Sequence, residues 1–227
     1  MAVAANFSAP MQKIAQAFEQ DTGHKAVLSF GSTGGFYAQI KNGAPFEILL
    51  AADSDTPLKI EQEGLGVAGS RFTYAIGKLV LWSKQSDLVD SQGAVLRSTK
   101  FQKIAIANPK LAPYGAAALE TLRKLGALAD VLPRIVQGDN IAQTYQFVAT
   151  ENAQLGFVAL SQVMVNGQLG LGSAWIVPSH MHKPIAQDAV LLSPGKSKPA
   201  ALALLTYLQS TKAGATIQSF GYERPAP

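Results

Sequence analysis

Four short turns along the chain share one design: an apolar run precedes each turn, small or polar residues form it, and an amphipathic helical pattern follows. The turns are Asn6-Phe7-Ser8, Gly31-Ser32-Thr33-Gly34-Gly35, Pro113-Tyr114-Gly115 and Asp139-Asn140-Ile141. A strand–turn–helix unit that recurs predicts an α/β fold with parallel strands. Ligands of such sheets bind outside the carboxyl ends of the strands, where the helices begin. We therefore expect the functional site at these turns.

The alternation of strand and helix is interrupted by two long extended segments, 71–83 and 185–192. Each is long enough to pass from one lobe to another, so the sequence predicts two α/β lobes joined by two crossover strands. The first lobe is predicted to be discontinuous, 1–78 with 188–227, and the second to span 79–187. Two turns fall in each predicted lobe, which places the ligand in the cleft between them.

Local patterns predict the individual elements. Strands are expected at 2–5, 26–30, 47–52, 104–107, 134–136 and 156–160. Helices are expected at 10–20, from the Gly31–Gly35 turn to Asn42, and at 115–125, 141–150, 199–209 and 212–220. Apolar residues spaced three or four apart support the helices, and Gly23 and Gly221 are predicted to end two of them.

Composition excludes several classes of function. With 48% hydrophobic residues and 227 residues in all, the chain can bury a sizeable core, and no apolar run approaches the length of a membrane helix. It has no cysteine, so disulfides, thiolate catalysis and thiolate metal sites are excluded. The net charge is +4, but the basic residues are scattered and form no nucleic-acid-binding stripe.

The abrupt start near the first strand predicts that an export signal was removed.

The turns themselves contain no lysine or arginine. A helix N-terminus presents unpaired N–H groups and a partial positive charge, so each turn can bind an anion through neutral donors. The candidate donors are the Asn6 amide, the hydroxyls of Ser32 and Thr33, and the backbone N–H groups of Tyr114 and Ile141. Helix capping and turn stabilisation compete with these roles, and we assign capping or turn roles to Ser8, Asp53 and Asn140.

Catalytic and metal-binding patterns are missing from the sequence. It lacks a Gly-x-Ser-x-Gly elbow, a Cys–His pair and an acidic cluster, so an enzyme is not expected. His180 and His182 form a His-x-His pair that could bind copper or nickel, but no further ligand lies near them in sequence. We therefore expect no metal cation and no cofactor.

The turns, in this order, resemble the solute-binding proteins of molybdate ABC transporters, over essentially the whole chain. The motifs that carry the resemblance are Asn6-Phe7, Gly31-Ser32-Thr33-Gly34 before Tyr37-Ala38-Gln39-Ile40, Asn42-Gly43-Ala44-Pro45, Ala52-Asp53, Ala112-Pro113-Tyr114-Gly115, Gly156-Phe157-Val158-Ala159 and Gly221-Tyr222. The resemblance implies a periplasmic-binding-protein fold of the type with two crossovers. It also implies a periplasmic monomer that binds molybdate or tungstate and delivers it to a membrane permease, without binding nucleic acid.

Carried over by position, the resemblance implies that Asn6, Thr33, Tyr114 and Ile141 are ligand residues. Two positions depart from branches of the family. Ala5 stands where one branch has a hydroxyl residue, which leaves a backbone contact, and Ala159 stands where another has a tyrosine donor. Our hypothesis is that Asn6 and Ser32 supply the missing donors.

Two alternatives stay open on the sequence. The same scaffold could carry sulfate or another oxyanion, or it could be the effector-sensing domain of a transcription regulator. Molybdate and tungstate are fully ionised near neutral pH, so a site of donors suits them. Phosphate still carries a proton and would need an acceptor, and sulfate would be rejected by cavity size.

Overall fold

The computed structural model describes residues 1–165 and 167–225. The chain divides into two compact units, one made of Met1–Ile76 and Ala186–Pro227 and the other of Gly77–Ile185. Each unit contains one five-stranded mixed sheet flanked by helices. The predicted class, two α/β units connected by two passages of the chain, is confirmed.

The elements are as follows. The strands are β1 (Ala2–Ala4), β2 (Ser29–Gly31), β3 (Ile48–Leu50), β4 (Phe72–Gly77), β5 (Leu79–Ser83), β6 (Ile104–Ala107), β7 (Ile135–Gly138), β8 (Leu155–Ala159), β9 (Met164–Val165), β10 (Gln168–Leu169), β11 (Ser173–Ile176) and β12 (Ile185–Leu191). The α-helices are α1 (Ser8–Thr22), α2 (Thr33–Lys41), α3 (Asp55–Gln62), α4 (Pro113–Lys124), α5 (Leu128–Val131), α6 (Ile141–Ala149), α7 (Leu160–Val163), α8 (Pro199–Leu208) and α9 (Thr211–Ser219).

The sheet of the first unit has the strand order β2-β1-β3-β12-β4. β1 runs parallel to both β2 and β3, with Ala4 opposite Gly31 and Val3 opposite Leu50, whereas β12 is antiparallel to β3. The three parallel strands therefore end at the same edge of the sheet. The turns that follow them, including two of the four predicted ones, lie along that edge.

The core of the first unit shows why its first helix forms where it does. Met11, Ile14 and Phe18 recur at helical spacing in α1 and are buried in one hydrophobic cluster with strand residues of the sheet. Gly23 ends the helix with φ +74°, and its N–H donates to the Glu19 carbonyl. Glycine reaches this left-handed conformation without strain, so the predicted stop at Gly23 is confirmed.

The sheet of the second unit has the strand order β11-β5-β8-β6-β7. β6 is parallel to β7, with Ala107 opposite Gly138, and parallel to β8, whereas β5 is antiparallel to β8 and to β11. The N–H of Asn108, just after β6, donates to the Gly138 carbonyl at 2.7 Å. β6 and β7 thus end side by side, and α4 and α6 begin from the same edge.

Several predicted elements differ from the observed ones. The segment 71–83 is two strands rather than one, because β4 belongs to the first sheet and β5 to the second, with a break at Lys78. The first strand ends at Ala4 because Ala5–Phe7 form a 3-10 turn. The strand expected at 26–30 is observed at 29–31. Among the described residues, the helices α3, α5 and α7, the β9–β10 hairpin and the edge strand β11 were not predicted.

Candidate oxyanion-binding site

The turn between β2 and α2 presents two hydroxyl groups in the first unit. Ser32 is the N-cap of α2, and its Oγ accepts a hydrogen bond from the Gly35 N–H at 3.3 Å. Thr33 is 1% exposed, and its Oγ1 accepts the Ala52 N–H at 2.9 Å, which fixes the turn to the end of β3. In the described part of the chain neither hydroxyl is seen to donate, so each hydrogen remains available for an anion.

Asn6 lies in the 3-10 turn that follows β1 and is 3% exposed. Its Nδ2 donates to Gln187 Oε1 and to Tyr222 Oη, both at 2.9 Å. The two amide hydrogens are therefore directed at protein acceptors. This arrangement gives the Asn6 side chain a role in holding the turn, and a ligand role of the residue stays a prediction.

The prediction that Ser8 caps the first helix is wrong. Ser8 is the first residue of α1, and its hydroxyl donates to the Ala5 carbonyl at 2.9 Å instead of accepting a backbone N–H. The 3-10 turn at Ala5–Phe7 leads directly into the helix, so no extended capping residue precedes it. The role of Ala5 in this contact is that of an acceptor for Ser8.

The first turn of α4 lies directly against the end of β6 in the second unit. Ala112 is the N-cap residue and Pro113 the first helical residue, where the missing proline N–H has no cost. Tyr114 follows and is buried. A Cβ atom placed on Gly115 would lie 2.1 Å from the Ala107 carbonyl oxygen, so only glycine permits this approach. The helix end is thereby held at the edge of the sheet.

The first turn of α6 is built by Asn140. Its Oδ1 accepts the N–H groups of Ala142 at 2.9 Å and Gln143 at 3.0 Å, so the predicted capping role is confirmed. Ile141 is the first helical residue, and its N–H has no partner within the helix. The Ile141 carbonyl accepts Gln162 Nε2 at 3.1 Å, while Gln162 Oε1 accepts the Ala159 N–H at 2.9 Å. The helix start is thus fixed from both sides.

Asp53 follows the end of β3 in the first unit. Its carboxylate accepts the Thr56 N–H at 2.8 Å and the Thr56 hydroxyl at 3.2 Å, which confirms the predicted turn-stabilising role. Burial raises the pKa of the Asp53 carboxyl, and the charges of Asp55 and Asp188 add to the increase, against the bonds from Thr56. The ionised form of Asp53 is therefore disfavoured in the folded chain.

This shift has a consequence for stability. Because the folded pKa is raised, the folded state holds the proton more tightly than the unfolded state, and stability is lost as pH rises from the unfolded pKa through the folded one. We expect Asp53→Asn to be more stable than the parent at pH 7 and equally stable near pH 4, since the amide can still accept the Thr56 N–H. Chemical denaturation at both pH values measures this. The exposed Asp87→Asn serves as control and should show no such gain; a loss of stability of Asp53→Asn at pH 7 would contradict the assignment.

The two histidines of the His-x-His pair have different surroundings. His180 is exposed, whereas His182 is buried with its Nδ1 2.7 Å from the Lys183 carbonyl oxygen. In residues 1–165 and 167–225, no group of three or more His, Cys, Asp or Glu residues could hold a metal ion. Within the same ranges no helix is both long and apolar enough to cross a membrane.

Comparisons by sequence and by structure find the same kind of protein. The sequence model of the family described as bacterial extracellular solute-binding protein matches residues 1–223. The molybdate-binding protein ModA of Azotobacter vinelandii is 60% identical over 222 residues, which cover 98% of this chain and 88% of that protein. ModA of Rhodobacter capsulatus is 51% identical over 221 residues, 97% of this chain and 86% of the relative. The solved periplasmic molybdate-binding protein of A. vinelandii matches with a TM-score of 0.96 at 41% identity, covering 99% of each chain.

Sequence reasoning missed two residues that the structure places against Asn6. Gln187 lies 181 residues away in β12, and Tyr222 lies 216 residues away, after α9. Nothing local in the sequence marks Gln187. The Gly221-Tyr222 pair was part of the resemblance, but only the fold shows what the tyrosine contacts.

Proposed function

Because the chain belongs to the bacterial extracellular solute-binding proteins, we propose that it binds molybdate or tungstate and delivers the anion to the permease of an ABC transporter. The relatives at 60% and 51% identity carry the name molybdate-binding protein and cover nearly the whole chain. They favour molybdate over a sulfate-type carrier and over a sensing domain of a regulator.

The observation that carries the proposal is the set of uncharged hydrogen-bond donors at the helix starts of each unit. In the first unit, α2 begins with the Ser32 and Thr33 hydroxyls, each of which accepts one internal bond and retains its hydrogen. In the second unit, α6 begins with Ile141, and the Asn140 side chain that caps it accepts the N–H groups of Ala142 and Gln143 rather than that of Ile141. All these donors are uncharged, and the turns that present them contain no basic residue.

Neutral donors of this kind select among anions by the protonation state of the anion. A doubly charged tetrahedral oxyanion needs hydrogen-bond donors around every oxygen, and each charge-assisted bond contributes about 1.5–3 kcal/mol. Several such bonds suffice for sub-micromolar affinity even after the costs of association. Protonated phosphate needs an acceptor, which the candidate turns do not supply.

Further properties belong to the same proposal. The site residues are Asn6, Ser32, Thr33, Tyr114 and Ile141, with a backbone contact at Ala5. The protein works as a periplasmic monomer after removal of an export signal, and it is a carrier rather than an enzyme. It needs neither a cofactor nor a metal cation, and it does not bind nucleic acid. That donors of both units bind one anion stays a prediction.

Calorimetric titration with molybdate, tungstate, sulfate and phosphate tests the proposed function. We expect molybdate and tungstate to bind with similar dissociation constants below about 1 µM, since several charge-assisted bonds converge on one ion. Sulfate is expected to bind at least about 100-fold more weakly, because its shorter bonds cannot reach all the donors at once. Phosphate should give no heat. Tight binding of sulfate or phosphate in preference to molybdate would contradict the proposal.

A further inference from the structure

The turn that follows β1 is held by a buried network of uncharged side chains within the first unit. Asn6 Nδ2 donates to Gln187 Oε1 and to Tyr222 Oη, both at 2.9 Å. In return the Tyr222 hydroxyl donates to the Asn6 backbone carbonyl at 2.8 Å. All three residues are at most 4% exposed. Tyr222 thus bonds both the side chain and the backbone of Asn6.

The same network reaches the end of a second strand. Tyr74 Oη lies 3.0 Å from Gln187 Oε1 and 2.9 Å from the carbonyl oxygen of Ala51, the residue that follows β3. Gln187 Oε1 and the Tyr74 hydroxyl therefore connect the Asn6 turn to the end of β3. There the Ala52 N–H donates a hydrogen bond to Thr33 Oγ1. Hydrogen bonds thus connect two of the predicted ligand turns within the first unit.

The Phe7 ring packs against two aromatic residues of this network. The Phe7 ring makes edge contacts with Tyr74, at 4.7 Å between centroids, and with Tyr222, at 5.4 Å. Phe7 is fully buried and belongs to the main hydrophobic cluster of the unit. Tyr222 is therefore held by its ring as well as by its hydroxyl, so loss of the hydroxyl alone leaves the packing in place.

We propose that Tyr222 and Gln187 are positioning residues for anion binding, which fix the Asn6 turn through its side chain and backbone. This rests on the proposed function, since the Asn6 turn is one of the predicted ligand turns. Buried polar groups that lose a partner are costly, so the network has one satisfied arrangement and the turn has one orientation. A protein that binds by donor geometry needs that orientation before the anion arrives.

Tyr222→Phe isolates the hydroxyl. It removes both bonds to Asn6 and keeps the ring against Phe7. We expect the dissociation constant for molybdate to rise about tenfold, corresponding to one lost net interaction of about 1.4 kcal/mol. Gln187→Leu, which removes the acceptor for Asn6 at similar side-chain volume, should give a loss of the same order. Tyr207→Phe is the matched control, because that hydroxyl bonds the exposed Asp21 and its ring packs on Phe18, away from the Asn6 turn.

A double-mutant cycle separates positioning from general stabilisation. Titration of the parent, Tyr222→Phe, Asn6→Ala and the double variant should show that Tyr222→Phe has a smaller further effect once Asn6 is alanine, because only the bond to the backbone carbonyl of residue 6 is then left to lose. Tyr207→Phe should bind like the parent. If the losses from Tyr222→Phe and Asn6→Ala multiply, or if Tyr222→Phe lowers the unfolding temperature without changing affinity, the inference is overturned while the proposed function stands. Absence of molybdate binding by the parent chain would instead overturn the proposed function. Gln187→Leu repeats the cycle if Tyr222→Phe does not fold.

Discussion

Gly115→Ala is expected to lower the free energy of unfolding by about 3 kcal/mol and to weaken molybdate binding more than tenfold. The added Cβ would lie 2.1 Å from the Ala107 carbonyl oxygen and 2.8 Å from its carbonyl carbon, and both atoms belong to the backbone of β6. Backbone atoms cannot change rotamer as a side chain can, so α4 must move away from the strand. The first turn of the helix, including the Tyr114 N–H, moves with it.

Thermal unfolding and calorimetric titration measure the two effects of Gly115→Ala. For a chain of this size the loss corresponds to a fall of roughly 6–12 °C in the unfolding temperature. Gly214→Ala is the matched control on α9, because the nearest atom to its added Cβ is the end of the flexible Arg224 side chain. Helix propensity favours alanine there, so stability should be unchanged or slightly raised. Equal losses for the two variants would contradict the account of α4.

Ile141→Pro is expected to raise the dissociation constant for molybdate about 10- to 100-fold with little disturbance of α6. Ile141 is the first residue of the helix, where proline is well tolerated, and Asn140 before it has φ −150° and ψ 175°, an extended conformation that proline requires of its predecessor. The substitution removes one backbone N–H. Loss of one charge-assisted bond of about 1.5–3 kcal/mol accounts for the weaker binding.

Ile141→Ala is the control for this variant. The Ile141 side chain is 3% exposed, so both substitutions remove buried contacts, but alanine keeps the N–H. The difference in affinity between the alanine and proline variants therefore reports the N–H alone, and far-ultraviolet circular dichroism checks that α6 remains. If both variants bind molybdate equally well, the Ile141 N–H is not a ligand donor.

Helix starts with strong local signals could be predicted from the sequence. The helix at Ile141 begins at the predicted residue because Asn140 offers the capping oxygen and extended backbone that a first turn requires. The stop at Gly23 followed from the conformational freedom of glycine. Such features depend on a few neighbouring residues, and the sequence contains them in full.

Features set by distant contacts could not be predicted in the same way. Apolar residues recur from 72 to 82 on both sides of Gly77-Lys78. That β4 pairs within one sheet and β5 within the other is a property of the fold. The role of Asn6 likewise depends on Gln187 and Tyr222, more than 180 residues away. Local reasoning assigned the amide of Asn6 to a ligand, which stays a prediction, but it could not show that the amide also bonds these two partners.

A crystal structure of the protein soaked in molybdate, with the metal located by anomalous scattering, tests the central claim most directly. The account predicts that every protein atom within about 3.2 Å of the oxyanion is a backbone N–H or an uncharged side-chain donor, with Thr33 and Ile141 among them. A molybdenum peak held by an arginine or lysine side chain, or lying away from the starts of α2 and α6, would contradict it.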